Sequence, residues 1–430
     1  MNNLVYLQHK ITVMKHFLIL FGLFLMVTSC SKDEPTQEPE VPARRTVIVY
    51  MAGDNNLSSY LQSDLNEMIT GRKQVGRDES LLVFVDRSSA TAKPFIAKVT
   101  GKDKQPLDTL YKYPTEFYSS DPEHFAEVLS RCMQLSPATE DYGLVLWGHA
   151  SGWIIETDSI DKRYYTPRRA YGVDNGMWLN IPSMRKALQS LNMKWKFIFS
   201  DCCNMQNIET AYELKDCTEY LIAAPSEITG SGAPYNTVVP AFFIHNDEQM
   251  YQTICDNYYT QIDIKGGHLP ISVIKTDKLN DLATATKAVL PAVVENLPHD
   301  DFGYGHIYYF CLVNGNSWGY KYEDQYKTLY DMNDIIRWAT ANDEAAYSAW
   351  KDAFDQTVIY KRMSTFWHAN YLQYDFDNKY FYDFTVTEEA FGGVSMFFPL
   401  EKYNNGTTHY NEDIKKMGWY YAMGWSELGW

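Results

Sequence analysis

Five short apolar runs, each closing on a polar turn, constrain this chain more than any other feature. They are residues 46–51 (TVIVYM), 81–85 (LLVFV), 143–147 (GLVLW), 196–200 (KFIFS) and 220–224 (YLIAA). A strand with one wet face alternates apolar and polar residues, so a strand that is apolar throughout is buried on both faces. Helical patterns fall between the runs. Leu57, Tyr60, Leu61, Leu65 and Met68 recur at helical spacing, and residues 182–191 and 208–214 read as helices. A helix over residues 122–135 opens with Asp121 as N-cap and Pro122 at the first helical position. Residues 95–120 are less regular and suit a hairpin or a long loop. A helix near 247–263, a strand at 270–274 and a helix at 277–295 follow. Strands alternating with helices predict an α/β fold, a mostly parallel sheet covered on both faces. Ligand sites in such sheets lie beyond the carboxyl ends of the strands.

Two reactive residues occupy those ends. His149 follows the third run and Cys203 the fourth, 54 residues later. A cysteine nucleophile needs a base or a positive environment to become a thiolate, and a histidine on the next strand can supply it. Backbone N–H groups at a strand-to-helix turn lack partners and can hold an oxyanion. Either residue alone would read as packing or as surface. Their joint placement points to nucleophilic catalysis.

Other chemistries fit less well. The chain carries 54 acidic and 38 basic residues, a net charge of −16, which disfavours a nucleic-acid partner. No HExxH and no Cys/His ligand spacing is present, so no metal site is expected. Ser151 is fourth, not central, in residues 148–152, so there is no G-x-S-x-G elbow.

The N-terminus reads as a targeting signal. Lys15 and His16 precede an apolar run of 11 residues, 17–27, too short to span a bilayer. Residues 27–30 (VTSC) resemble the lipobox of bacterial lipoproteins, which implies cleavage before Cys30 and lipidation of its thiol. Loss of residues 1–29 removes Lys10 and Lys15, leaving 36 basic against 54 acidic residues, or −18. Residues 31–45 are acidic and proline-rich, an extended tether. Six other cysteines remain, Cys132, Cys202, Cys203, Cys217, Cys255 and Cys311, with no CxxC and no disulfide framework. The expected organisation is a signal peptide at 1–29, a tether at 30–45, a catalytic domain at 46–295 and a C-terminal subdomain at 296–430. The last is rich in aromatics; its one clear strand, residues 393–399, is expected to return to the main sheet.

Three segments resemble the clostripain family of cysteine peptidases. Residues 49–57 (VYMAGDNNL) match its first strand and D-N-x-L turn. Residues 146–153 (LWGHASGW) match its histidine motif. Residues 201–205 (DCCNM) with 209–214 (ETAYEL) match its cysteine motif. The resemblance implies a caspase-like three-layer α/β/α sandwich with a C-terminal subdomain. It implies His149 and Cys203 as catalytic residues and the N–H groups of Ala150 and Cys203 as oxyanion donors. Asp201 matches the acid of the S1 pocket, which favours Arg or Lys at P1; Glu227 is the nearest counterpart of a second acid seen in some members. Asp201 could instead cap the following helix. Some members cut themselves between the two motifs, where this chain has Lys162, Arg163, Arg168 and Arg169. Calcium serves some members, though this chain has no EF-hand-like loop. Two positions depart from the family. Ala150 replaces a glycine and would be strained at positive φ, and Cys202 replaces an alanine beside the nucleophile.

The expected function is a lipid-anchored, exported cysteine endopeptidase acting on protein or peptide substrates. It would be held at the outer membrane or cell surface and would process itself between residues 156 and 172. No cofactor is required in this reading. The alternative is a catalytically degenerate surface lipoprotein whose 15% aromatic content serves peptide or glycan capture.

Overall fold

Each of the five apolar runs forms a strand, and all five lie side by side. The computed structural model describes residues 42–89, 91–154, 170–174, 176–261, 263–264, 267–299, 309–314, 325–364, 366–368, 381–383, 387–404 and 409–429. The strands are β1 (Ala43–Gly53), β2 (Glu79–Arg87), β5 (Thr139–Trp147), β8 (Trp195–Asp201) and β9 (Thr218–Ala223). Parallel pairings run β9–β8–β5–β1–β2. Strands β3 (Phe95–Val99) and β4 (Leu107–Lys112) extend one edge as an antiparallel hairpin, resolving the irregular stretch after residue 95. At the other edge β10 (Ile271–Lys275) pairs antiparallel with β9, and β11 (Val358–Arg362) with β10. Of the nine strands only β3 and β10 oppose the rest.

Alternation along each strand divides the core in two. Val47, Val49 and Met51 of β1 face one helical layer, and Ile48, Tyr50 and Ala52 face the other. The first layer holds α1 (Ser58–Arg72), α5 (Tyr235–Phe242) and α6 (Asp247–Gln261). The second holds α2 (Pro122–Leu135), α3 (Ile181–Ser190), α4 (Ile208–Leu214) and α7 (Leu279–Asn296). Each fully buried aliphatic side chain contributes roughly 1.5–3 kcal/mol. Helices on both faces are what let a strand such as β1 be apolar from end to end. The Asp121 cap forms as expected, its side chain accepting from the N–H groups of Glu123 and His124.

The C-terminal part corrects one expectation. The strand that joins the main sheet is β11, not residues 393–399. Ser395–Met396 pairs instead with Gln325–Asp331, which also pairs with Tyr309–Asn314. The same segment docks behind the cysteine turn. Ser395 N–H donates to Gln206 O (3.0 Å), and Phe397 N–H donates to Glu209 Oε1 (2.7 Å). The Ser272 hydroxyl, gripped by Gln206 Nε2, donates in turn to Gly393 O. Residues far along the chain thus hold the first turn of α4 in place.

Candidate active site

The site is set by strand register. In the β5–β8 pairing Trp147 stands opposite Asp201. His149 lies two residues past the first and Cys203 two residues past the second. Both are half-buried, at the carboxyl edge of the sheet. The two turns touch. At Gly152, φ is +74°, and a Cβ would lie 2.4 Å from Asn207 Nδ2 and 2.7 Å from Asn204 O. No side chain fits there, so the histidine loop can close onto the cysteine turn. Trp153 then packs on Phe397, ring centroids 4.8 Å apart.

The cysteine turn is built from asparagines. Asn204 takes the left-handed conformation at φ 57°, which Asn tolerates better than most residues. Asn207 caps α4 by accepting from Thr210 N–H, and its amide donates to Asn204 O. The segment after β9 runs beside this turn, with Asn204 N–H donating to Ser226 O and Gln206 N–H to Ala224 O. It brings Ile228 to the thiol: Ile228 N–H points at Cys203 Sγ, 3.4 Å away. Glu227, its neighbour, is half-buried.

The adjacent cysteines face different environments. Cys202 is buried in the core, its Sγ 3.3 Å from Leu146 O, and burial pushes its thiol far up. Cys203 is half-exposed, and the two thiols are not joined as a disulfide. Cys132, Cys217 and Cys255 are buried thiols, as expected of small hydrophobes.

Ala150 escapes the strain expected of it: its φ is not positive. It bridges Tyr171 of β6 (Tyr171–Asp174), which pairs with β7 (Met177–Leu179). The bridge's hydrogen bonds come from Ser151 N–H to Ala170 O and Gly172 N–H to His149 O. The Ala150 N–H therefore stays out of that ladder. Both departures from the motif are accommodated by ordinary packing, which removes the motive for a degenerate site.

Asp201 does not cap the following helix; Asn207 does. Asp201 is buried, and its Oδ2 accepts from Ala233 N–H (2.9 Å) and Tyr235 O–H (2.8 Å). Its Oδ1 is buried without a hydrogen-bond partner. Burial pushes its carboxyl up to about 6, partly offset by those two donors and raised further by Glu67. Gly232, at φ +62°, keeps the donor loop close: a Cβ there would sit 2.6 Å from Asp201 Oδ2.

The motifs did not reveal three partners. His149 Nε2 lies 2.5 Å from Asn56 Oδ1, and Tyr235 and Ala233 hold Asp201. Asn56 sat inside the first motif segment but had no assigned role. Tyr235, 34 residues from Asp201, had no signal at all. Among the described residues no group of three or more His, Cys, Asp or Glu is arranged to hold a metal ion. Cys30, Lys162, Arg163, Arg168 and Arg169 lie outside the described residues. Among the described residues no helix is long and apolar enough to cross a membrane.

Comparison with known proteins agrees with this fold. No curated protein matches the chain. Among solved structures, a secreted C11 cysteine protease from Bacteroides thetaiotaomicron, bound to an irreversible peptide inhibitor, is 28% identical, with 89% of this chain and 99% of that one covered and a TM-score of 0.69. An inactive zymogen C11 protease from Parabacteroides distasonis is 26% identical, covering 89% and 98%, at a TM-score of 0.68. A second secreted C11 protease of B. thetaiotaomicron, iotapain, is 21% identical and shares the fold over 89% and 100% of the chains, at a TM-score of 0.70. The fold is thus the caspase-like one. The clostripain family model, peptidase C11, matches residues 49–430, from β1 to the C-terminus. The matched strand ends that carry His149 and Cys203 fall inside that span, and the protein belongs to the clostripain family of cysteine peptidases.

Proposed function

We propose that this peptidase is an exported, lipid-anchored endopeptidase that cuts after Arg or Lys with a Cys203–His149 dyad. One observation carries the dyad: each residue stands two positions past the end of a strand, and those ends face each other in register. His149 takes the Cys203 proton. The thiolate attacks the scissile carbonyl carbon, and the N–H groups of Cys203 and Ala150 hold the oxyanion. Collapse breaks the C–N bond, and the leaving amine takes the proton from His149. Water then hydrolyses the thioester. Each oxyanion donor of this kind is worth roughly 100- to 1,000-fold in rate.

Asp201 supports basic specificity. A buried carboxylate with an unpaired oxygen costs free energy unless a partner arrives, and a P1 guanidinium or ammonium is that partner. Glu227, beside Ile228, is the second acid of the pocket in this reading.

Cys203→Ala should abolish cutting of a mixed peptide library, and Cys202→Ala should keep most of it. Iodoacetamide at neutral pH should label Cys203 first. The reverse pattern would sink the assignment. Maturation rests on Lys162, Arg163, Arg168 and Arg169, and on a relative described as an inactive zymogen. Purified Cys203→Ala should then keep one intact mass while the parent is cut between residues 156 and 172. The anchor rests on residues 27–30; Cys30→Ala should leave the membrane fraction, and unchanged fractionation with unchanged mass would refute it.

A further inference from the structure

A neutral imidazole has one nitrogen that donates and one that accepts, and a partner on either nitrogen decides which is which. His149 Nε2 lies 2.5 Å from the side-chain oxygen of Asn56. An amide oxygen can only accept, so this contact puts the ring proton on Nε2 and leaves the lone pair on Nδ1. We propose that Asn56 is the positioning residue of the catalytic histidine, fixing the tautomer in which Nδ1 takes the Cys203 proton. The inference rests on the dyad described above.

The turn after β1 is built to present this oxygen. Asn56 is exposed, so packing does not hold it. Its neighbour Asn55 does. Asn55 Oδ1 accepts from Leu57 N–H (2.8 Å). Its Nδ2 donates to Ala52 O on β1 and to Val173 O on β6, both at 2.9 Å. Its backbone N–H donates to Gly53 O. Both polar ends of the Asn55 side chain are spent on closing the turn and tying it to the strand that bridges Ala150. Asn56 is thereby aimed from the end of β1 at a ring on the end of β5, its immediate neighbour in the sheet. During the reaction the proton moves from Cys203 Sγ to Nδ1. The imidazolium then keeps its Nε2–H on Asn56, now as a charge-assisted hydrogen bond, which is stronger than the neutral one. The contact thus strengthens as charge develops.

The test uses the full chain and a peptide that the parent cuts, whatever its P1 residue. Asn56→Ala should lower kcat roughly 10- to 100-fold, the range of a hydrogen bond to a charged group, with KM changed less than about threefold. Asn56→Asp keeps an acceptor on Nε2 and adds a negative charge that favours the imidazolium. It should recover part of kcat and move the limb of the pH–rate profile set by His149 to higher pH. Among the described residues, Asp54 on the same turn, Tyr171 and Asp174 on β6, and Cys203 and Glu227 beside the cysteine turn are unchanged in both variants. The pH profile of Cys203 alkylation by iodoacetamide reads the same shift without turnover, and melting curves check the fold. Asn56→Ala with kcat and alkylation profile like the parent overturns the assignment. Asn56→Asp with less activity than Asn56→Ala overturns it too, since the amide would then face the ring with its nitrogen. A Cys203→Ala variant that still cuts the peptide would instead sink the dyad itself.

Discussion

Two buried carboxyl groups stand at the same edge of the same sheet: Asp201 at the end of β8 and Asp86 one residue before the end of β2. Their surroundings differ. Asp201 accepts from Ala233 N–H and Tyr235 O–H. Neither oxygen of Asp86 is paired; the Ser119 hydroxyl, which pulls its carboxyl down a little, donates to Asp174 (3.3 Å). Burial pushes Asp86 up to about 8, with the negative charges of Asp174, Glu116 and Asp54 adding to it. Burial pushes Asp201 only to about 6, because its two donors favour the charged form. At neutral pH Asp201 is mostly ionised and Asp86 mostly protonated. Two donors at Asp201, and three acids around Asp86, make Asp201 the more readily ionised of the two.

The largest expected effect comes from Asp201→Asn. A charge-assisted pair is worth about 1.5–3 kcal/mol, or roughly 10- to 150-fold. Cleavage after Arg and Lys should fall by that much, read as kcat/KM against a peptide with a neutral P1 residue. Unchanged selectivity would leave Glu227 as the acid to examine. Tyr235→Phe should fall between the extremes. Losing one donor costs about 1 kcal/mol, roughly fivefold. The loss should be greater at pH 6 than at pH 8, because Asp201 would hold its proton to higher pH. The smallest effect on activity comes from Asp86→Asn, with kcat/KM within about twofold.

Asp86 should show itself in stability instead. Its folded value is about 8, against about 3.9 when unfolded. Between those limits the folded state binds more protons, so stability falls as pH rises through that window. Asparagine cannot ionise. Its melting temperature should therefore decline less from pH 5 to pH 8 than that of the parent. Parallel melting curves would show that burial does not hold the proton on Asp86.

Much of this was legible in the sequence, and the reasons differ by element. A strand buried on both faces is apolar from end to end, so β1, β2, β5, β8 and β9 announce themselves, as do the turns that follow them. Strand order is not written locally. Nothing in residues 46–51 says that β1 lies between β5 and β2. Edge strand β11 was missed because most of it is only half-buried and it follows directly on the helix Glu344–Thr357. His149 and Cys203 were legible because chemistry restricts which residues can serve at a strand end. Their supports were not. Asn56 meets His149 across 93 residues through one short side chain, and such a contact leaves no period to read. Gly152 and Gly232 stand out as glycines, but what each lets approach appears only in three dimensions.

The most direct measurement is a map of cut sites. The protein lacking residues 1–30 is incubated with a mixed peptide library, and the products are identified by mass spectrometry. Cleavage concentrated after Arg and Lys, and lost in Cys203→Ala, is the result expected of a Cys203 nucleophile beside an ionised Asp201. Cleavage after neutral residues would contradict it.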